Sequence, residues 1–309
     1  MNKSDIIIST VLLNWNRINN LHKTINSYLK TIDVDYELII VDNNSADGSQ
    51  ELIKSVCAGK SNHHAILLDK NIGGSALNIG ADKTVGRYIH FSENDIEYLP
   101  GWRADMLSKF DIFSELGQLS PFSPLPQKEL GEIFSDKSQQ VVPLTRYGVT
   151  VYSAFTNCGT TSIIRREIWD LGIQWKSCGA GDIWFPDDGA FSEDIKKMGY
   201  IVAYNEKYVV INWGHNINEF TRDIAYYADG YKAKLWFGIE GFKARLKDHG
   251  YLLLSEENDN AGYRIIADKK NNSVIWRIAR RFHKLIDTIL PLGTRRRMLA
   301  RRIFYWFSR

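Results

Sequence analysis

Apolar and polar positions come in alternating blocks along the first ninety residues. Ile6 to Leu13 is an apolar, β-branched run of strand length, and Asn19 to Leu29 spaces Leu21, Ile25, Tyr28 and Leu29 as one face of a helix. Glu37 to Val41 predicts a second buried strand. Asp47 to Cys57 predicts a helix with Leu52, Ile53 and Val56 on one face and Asp47 as N-cap, where a side-chain oxygen accepts from orphan backbone N–H groups. His64 to Leu68, Ala76 to Thr84 and Tyr88 to Phe91 repeat strand, helix and strand. This alternation builds an α/β fold, a mostly parallel sheet covered by helices, and such sheets bind ligands beyond the carboxyl ends of their strands.

Polar clusters stand at those ends: Asn14-Trp15-Asn16-Arg17 after the first strand, Asp42-Asn43-Asn44 after the second, Lys70-Asn71-Ile72-Gly73-Gly74 after the third, and Glu93-Asn94-Asp95 after the fourth. Asn, Asp and Gly are also the ordinary residues of turns. Four such clusters along one edge of a parallel sheet point to a site.

Further on, Trp102 to Phe113 predicts a helix, and Ser120 to Pro143, with four of the seven prolines, reads as a long loop. Asn157 to Ile164 has strand character and Arg165 to Leu171 helical character. Lys176 to Gly181 reads as a mobile glycine-containing loop. Asp187-Asp188 opens a helix that runs through Met198 and closes on Gly199, followed by a strand at Tyr200 to Tyr204. Phe220 to His249 reads as mostly helical, and Glu256 to Asn260 and Asp268 to Asn272 as loops. The organisation expected is a catalytic domain over 1–219, a helical extension and linker over 220–273, and a basic amphipathic tail over 274–309.

With 44% hydrophobic and 24% charged residues the 309-residue chain is globular rather than disordered. No apolar run reaches the roughly 18 residues of a membrane span, and Met1 to Asp5 leads straight into a strand, so the expected place is the cytoplasm. Cys57, Cys158 and Cys178 lack the spacing of a zinc site or a disulfide framework. The net charge of +3 is uneven: Ile275 to Arg309 carries ten Lys or Arg against Asp287 alone, which leaves the first 274 positions acidic. An acidic body argues against nucleic acid as the main ligand.

Glu93 and Asp95, two apart in extended backbone, would point to one side and could share a hard cation; Mg²⁺ and Mn²⁺ take oxygen ligands and leave positions open for phosphates. Asp187-Asp188 sits where a helix dipole favours negative charge, which fits helix initiation as well as catalysis. His215 is a late histidine that fits a structural role or a ligand. Together these supply the parts of a metal-assisted displacement with a carboxylate base.

Val11 to Arg17, Glu37 to Ser49, and Asn71-Ile72-Gly73 with Asn78-Ile79-Gly80-Ala81 resemble the family-2 glycosyltransferases of the Rossmann-like GT-A fold in residue type, order and spacing. The resemblance covers about Ile6 to His215. It implies inverting transfer from a nucleotide-activated sugar, a UDP- or dTDP-sugar, to a glycan or lipid-linked glycan. It also implies a donor site built from Asn14, Trp15, Asn16, Arg17, Asp42, Asn44, Asn71, Gly73, Asn78, Glu93 and Asn94. Glu93-Asn94-Asp95 falls at the family's D-x-D position with Glu in the first place, so Asp95 is the metal ligand carried over, with His215 completing a Mn²⁺ or Mg²⁺ site. Asp187-Asp188 matches the pair that furnishes the base, with Asp188 first in line. Trp184 to Ala190 and Trp213 to His215 resemble the galactofuranosyltransferase branch and are shared with rhamnosyltransferases. Trp184 and the loop before it would shape the acceptor pocket or belong to the core.

A sugar nucleotidyltransferase would share the sheet and the metal chemistry but should carry a Gly-rich basic loop after the first strand, and Leu13 to Asn20 contains neither Gly nor Lys. A non-catalytic sugar- or nucleic-acid-binding module would lean on the tail. There Ile275, Ile278, Phe282, Ile286 and Ile289 form an apolar stripe flanked by Arg277, Arg280, Arg281 and Lys284, the pattern of an interfacial helix on the anionic inner face of the cytoplasmic membrane.

Overall fold

The computed structural model describes residues 6–125, 140–180 and 183–213, together with 264–265 and the single positions 285 and 289. Its first part alternates β1 (Ile8–Asn14), α1 (Ile18–Thr31), β2 (Tyr36–Asp42), α2 (Ser49–Cys57), β3 (His63–Leu67), α3 (Ser75–Ala81) and β4 (Tyr88–Glu93). Every element expected here forms, with ends shifted by one to three residues. The Asp47 carboxylate accepts from Ser49 at the start of α2, although Gly48 takes the cap position itself. β1 pairs in parallel with β2 and β4, and β2 with β3, so four carboxyl ends lie side by side.

Alternate residues of these strands feed two layers. Ile8, Leu12, Leu38 and Ile40 enter the layer that holds Leu21, Ile25, Tyr28 and Trp102, while Val11, Ile39 and Val41 enter the opposite one with Leu77 and Phe91. Each such side chain buried in full contributes about 1.5–3 kcal/mol, so register is fixed from both faces. α3 lies close to the sheet: a Cβ at Gly80 would come within 2.5 Å of Val11 Cγ1 and 2.9 Å of Val41 Cγ2. The glycine is there for contact.

The second part comprises β5 (Ile96–Tyr98), α4 (Trp102–Ile112), β6 (Leu116–Ser120), β7 (Gln140–Arg146), β8 (Val149–Ala154), β9 (Ser162–Arg165), α5 (Arg166–Trp169), β10 (Ser177–Ala180), β11 (Ile183–Pro186), α6 (Asp188–Lys197), β12 (Ile201–Asn205), β13 (Val210–Asn212) and β14 (Arg264–Ile265). The large sheet runs β14-β7-β8-β12-β6-β9-β4-β1-β2-β3. It is parallel through its β3-β2-β1-β4 section, as expected, and mixed beyond, because β9 runs antiparallel between β4 and β6 and β8 runs antiparallel between β12 and β7. The arrangement is mixed α/β, a large central sheet flanked by helices.

Three expectations need correction. The supposed loop from Ser120 to Pro143 is bounded by strands, since β6 ends at Ser120 and β7 starts at Gln140 with Pro143 inside it. β6, β7 and β8 are short, and no single-sequence period marks them. The strand foreseen from Asn157 begins only at Ser162. Within the supposed loop Lys176 to Gly181, Ser177–Ala180 forms β10, which pairs antiparallel with β11 so that the neighbouring strand satisfies its backbone groups. The helix expected over Phe220 to His249, the flanking loops, His215 and the amphipathic stripe of the tail, apart from an exposed Ile289, lie outside the described residues.

Candidate active site

The sequence folds its donor edge around one carboxylate. Asp42, fully buried at the end of β2, accepts at Oδ2 from Asn14 Nδ2 at 2.7 Å and Ser45 Oγ at 2.6 Å, and at Oδ1 from Ser45 N at 2.8 Å and Gln50 Nε2 at 3.0 Å. A buried carboxylate is tolerable when hydrogen bonds replace its water, and here both oxygens are fully served. Asn14 Oδ1 in turn accepts from Asn94 Nδ2 at 2.7 Å, and the same amide reaches the carbonyl of Asn16 at 3.0 Å. The ends of β1, β2 and β4 are thereby tied into one rim. Asn16 N donates to Ser45 Oγ at 2.7 Å and Asn16 Oδ1 accepts from Ala46 N at 3.0 Å.

Asn16 and Arg17, which follow Trp15, are both left-handed, at φ 54° and 63°, and Asn44 at 66° matches them across the rim. Non-glycine residues hold such backbone at a cost of about 1 kcal/mol or more each, so the surroundings impose it. The turn carries Arg17 Nη1 to Asp95 Oδ2 at 2.8 Å.

Asn94 and Asp95 form a turn between β4 and β5, not an extended continuation of the strand. Glu93 and Asp95 therefore do not share one side of an extended strand as expected. Glu93 closes β4 and its N–H points to Thr161 Oγ1 at 3.4 Å. Asp95 fits a cation by a different sign: its Oδ1 is buried and accepts no hydrogen bond. Among the described residues no three His, Cys, Asp or Glu side chains gather as a metal cluster. Mg²⁺ and Mn²⁺ are commonly held by one or two carboxylates plus substrate phosphates, so a single orphaned carboxylate oxygen suits them. β13, which ends three residues before His215, pairs with β5, and the next residue, Trp213, donates to the Asp95 carbonyl at 2.8 Å. The chain thus passes Asp95 on its way to His215.

On the other flank of the donor edge, Asn71 Oδ1 accepts from Gly73 N at 2.8 Å, and Asn43 clasps the same loop through Ile72 N and the Gly73 carbonyl, both at 3.0 Å. Asn78 is placed differently from its expected donor role. Its Nδ2 donates to the Trp175 carbonyl at 2.9 Å and its Oδ1 accepts from Trp175 N at 2.8 Å, so its amide is spent on the chain leading to β10.

The acidic pair divides its work. Asp187 is the N-cap of α6, with Oδ1 accepting from Ala190 N at 2.9 Å, while Asp188 is the first residue of the helix. α6 is held to the sheet by Phe191, stacked on Trp175 with centroids 3.8 Å apart and set edge-on to Phe91 of β4. Ser192 Oγ donates to Gln118 Oε1 of β6 at 2.8 Å. Burial first, and the Asp188 charge second, push the Cys158 thiol well above its usual range. Sequence reasoning missed the residues that hold this site. Ser45 and Gln50 could have been suspected from an Asx-type turn before a helix; Ser177, Trp175 and Thr161 carry no such signal.

The family described as glycosyl transferase family 2 matches residues 9–172. A putative teichuronic acid biosynthesis glycosyltransferase of Bacillus subtilis (strain 168), TuaG, is 27% identical over 104 residues, 33% of this chain and 40% of the relative. The match therefore spans well under two thirds of that relative's length. Among solved structures, GalNAc-T7 with UDP, GalNAc and Mn²⁺ aligns at a TM-score of 0.53 and 17% identity over 81% of this chain and 56% of its own. S. aureus TarS 1-349 aligns at 0.48 and 16% over 82% and 74%.

Proposed function

The chain belongs to glycosyl transferase family 2 and is a glycosyltransferase, and from that premise we propose that it moves a sugar from a UDP- or dTDP-sugar to a hydroxyl of a glycan or lipid-linked glycan, with inversion. The observation that carries this reading is the rim itself. Asn14, Asp42 and Asn94 bind three strand ends together next to Asp95 with its orphaned oxygen, and Asp188 stands at the start of α6.

In this reading the Trp15 to Arg17 turn and the Asn43–Gly73 loop receive the nucleotide, and Asp42 keeps their backbone in place from below. Asp95 would hold Mn²⁺ or Mg²⁺ together with His215, which lies outside the described residues. The cation, when bound, neutralises charge developing on the departing diphosphate. Arg17 keeps the Asp95 carboxylate oriented. Asp188 accepts the acceptor hydroxyl proton while that oxygen bonds to the anomeric carbon and the bond to diphosphate breaks; a carboxylate of ordinary basicity suffices when proton transfer lags behind bond formation. Asp187 positions the helix. That GalNAc-T7 was crystallised with UDP and Mn²⁺ supports the donor class and the cation, and the curated relative's part in teichuronic acid biosynthesis supports a polysaccharide acceptor.

No helix among the described residues is long and apolar enough to cross a membrane. The basic tail, 274–309, would hold the enzyme on the anionic inner leaflet, at about 1 kcal/mol per basic residue near the surface. Truncation after Ser273 should then release it from anionic vesicles, as should high salt.

Thermal shift against a panel of UDP- and dTDP-sugars, with and without Mn²⁺, tests the central reading. A ligand at a hundred times its Kd stabilises by about 2.7 kcal/mol, which registers as a shift of a few degrees. If no nucleotide sugar moves the transition in either condition, the donor assignment fails.

A further inference from the structure

The donor loop and the hairpin that leads into the acidic pair are joined by a seam. Ser177, on β10, accepts at Oγ from Ser75 N at 2.9 Å, donates to the Ile72 carbonyl at 2.7 Å, and lies 2.9 Å from Ser75 Oγ. Two residues earlier, the Asn78 amide makes the paired bonds to Trp175 described above. One residue type excludes everything but contact: a Cβ on Gly73, itself at φ 61°, would stand 2.7 Å from Trp184 Cβ and 3.0 Å from Ser177 Oγ, and a Cβ on Gly74 would stand 2.7 Å from the Lys176 carbonyl and closer still to Pro186. Pro186 immediately precedes Asp187, whose N–H donates to the Lys176 carbonyl at 2.9 Å.

We infer that Ser177, with Asn78, is a positioning residue that makes the donor loop, 71–78, and the acidic pair, 187–188, one mechanical unit, so that filling the donor site sets the base. This rests on the proposed donor site and deepens it. The loop has no slack in which to absorb a shift: Gly73 and Gly74 meet Trp184, Ser177 and Pro186 at contact distance, and interiors packed this way transmit displacement rather than damp it. A contact between Pro186 and Gly74 then acts directly on the residue before the helix cap. Ser177 is the polar half of the seam and can be removed without opening a large void, which separates its role from packing.

The probe is UDP or dTDP, whichever binds the wild-type chain more tightly by calorimetry, and the readout is amide hydrogen exchange. In the wild type the nucleotide should slow exchange in 71–78 and also in 177–190. In Ser177→Ala, affinity should stay within about threefold and 71–78 should still be protected, while nucleotide-dependent protection of 177–190 falls by tenfold or more. Ser177→Thr, which keeps the hydroxyl, should restore it; this conservative rescue separates positioning from a general loss of stability. Unaltered protection of 177–190 in Ser177→Ala overturns the inference, and so does a loss that Thr fails to restore. If neither nucleotide binds the wild type, the functional reading itself is overturned, an outcome distinct from both.

Discussion

The two halves of the catalytic edge are built on opposite plans. On the nucleotide side, the ends of β1, β2 and β4 hold polar side chains that satisfy one another: Asp42 alone receives four hydrogen bonds and is fully buried. On the base side, α6 is anchored by aromatic contacts, Phe191 on Trp175 and Phe91, beside polar contacts that include the Asp187 cap, Ser192 to Gln118, Lys196 to the Phe155 carbonyl and Lys176 to Asp194. A network of charged and amide groups fixes shape before any ligand arrives, because each member is costly to leave unpaired. An apolar anchor sets where a helix lies through the shape of its contacts rather than through paired polar groups. Under the proposed roles, recognition and proton transfer rest on different kinds of support.

The largest test of this contrast is within the acidic pair. Asp188→Asn should lower turnover by about 10² to 10⁴ with nucleotide affinity kept, whereas Asp187→Asn, still a good N-cap, should stay within several-fold and Asp187→Ala should cost about 1 kcal/mol of stability. Comparable losses of turnover in the two Asn variants would merge the roles. On the nucleotide side the burden is structural: Asp42→Ala strands Asn14, Ser45 N and Gln50, and should destabilise by about 3 kcal/mol in chemical denaturation. An unchanged midpoint would mean the rim is not prepaid by that carboxylate.

Asp95→Asn should weaken Mn²⁺-assisted UDP binding by about tenfold to a hundredfold, or 1.4–2.7 kcal/mol, while leaving metal-free binding nearly unaltered. Calorimetry with EDTA and with Mn²⁺ separates the two. Equal affinities in all four conditions would remove Asp95 from the metal assignment.

A separate effect is a pH slope in the nucleotide-side core. Burial lowers the His90 pKa to about 3, and its ring contacts Thr10 at 3.1 Å and Tyr98 at 3.3 Å. The unfolded chain takes up that proton near pH 6.5, so the contribution is complete above 6.5 and is lost as pH falls from there toward 3, by about 1 kcal/mol per pH unit. His90→Gln should flatten this part of the stability curve. A slope that survives the substitution places the acid sensitivity elsewhere.

Much of this plan could be read from the chain. The strands and helices up to Glu93 announce themselves because each apolar run has its own period and its own turn residues, and Asp187 to Gly199 announces a capped helix in the same way. The carboxylates Asp42, Asp95 and Asp188 were named from their places at strand ends and a helix start. β6, β7, β8 and β10 were not legible: strands of four to seven residues and mixed polarity, one with a proline inside, show no period that distinguishes them from loop. Ser177 looked like any loop serine, and Asn78 like a donor ligand, because nothing local tells an amide which backbone it will meet 97 residues away.

What the sequence determined by itself was the local chemistry: which segments alternate, where turns fall, and that acids and amides collect at strand ends. Periodicity and capping act within a few residues, so they are encoded there. Only the tertiary structure decided that β9 would run antiparallel between β4 and β6, that Asp187 would cap while Asp188 led the helix, and that Asp95 would meet Arg17 across 78 residues of chain. Those outcomes depend on packing and on hydrogen bonds between distant segments, where the lowest free energy is chosen by which partners can all be satisfied at once.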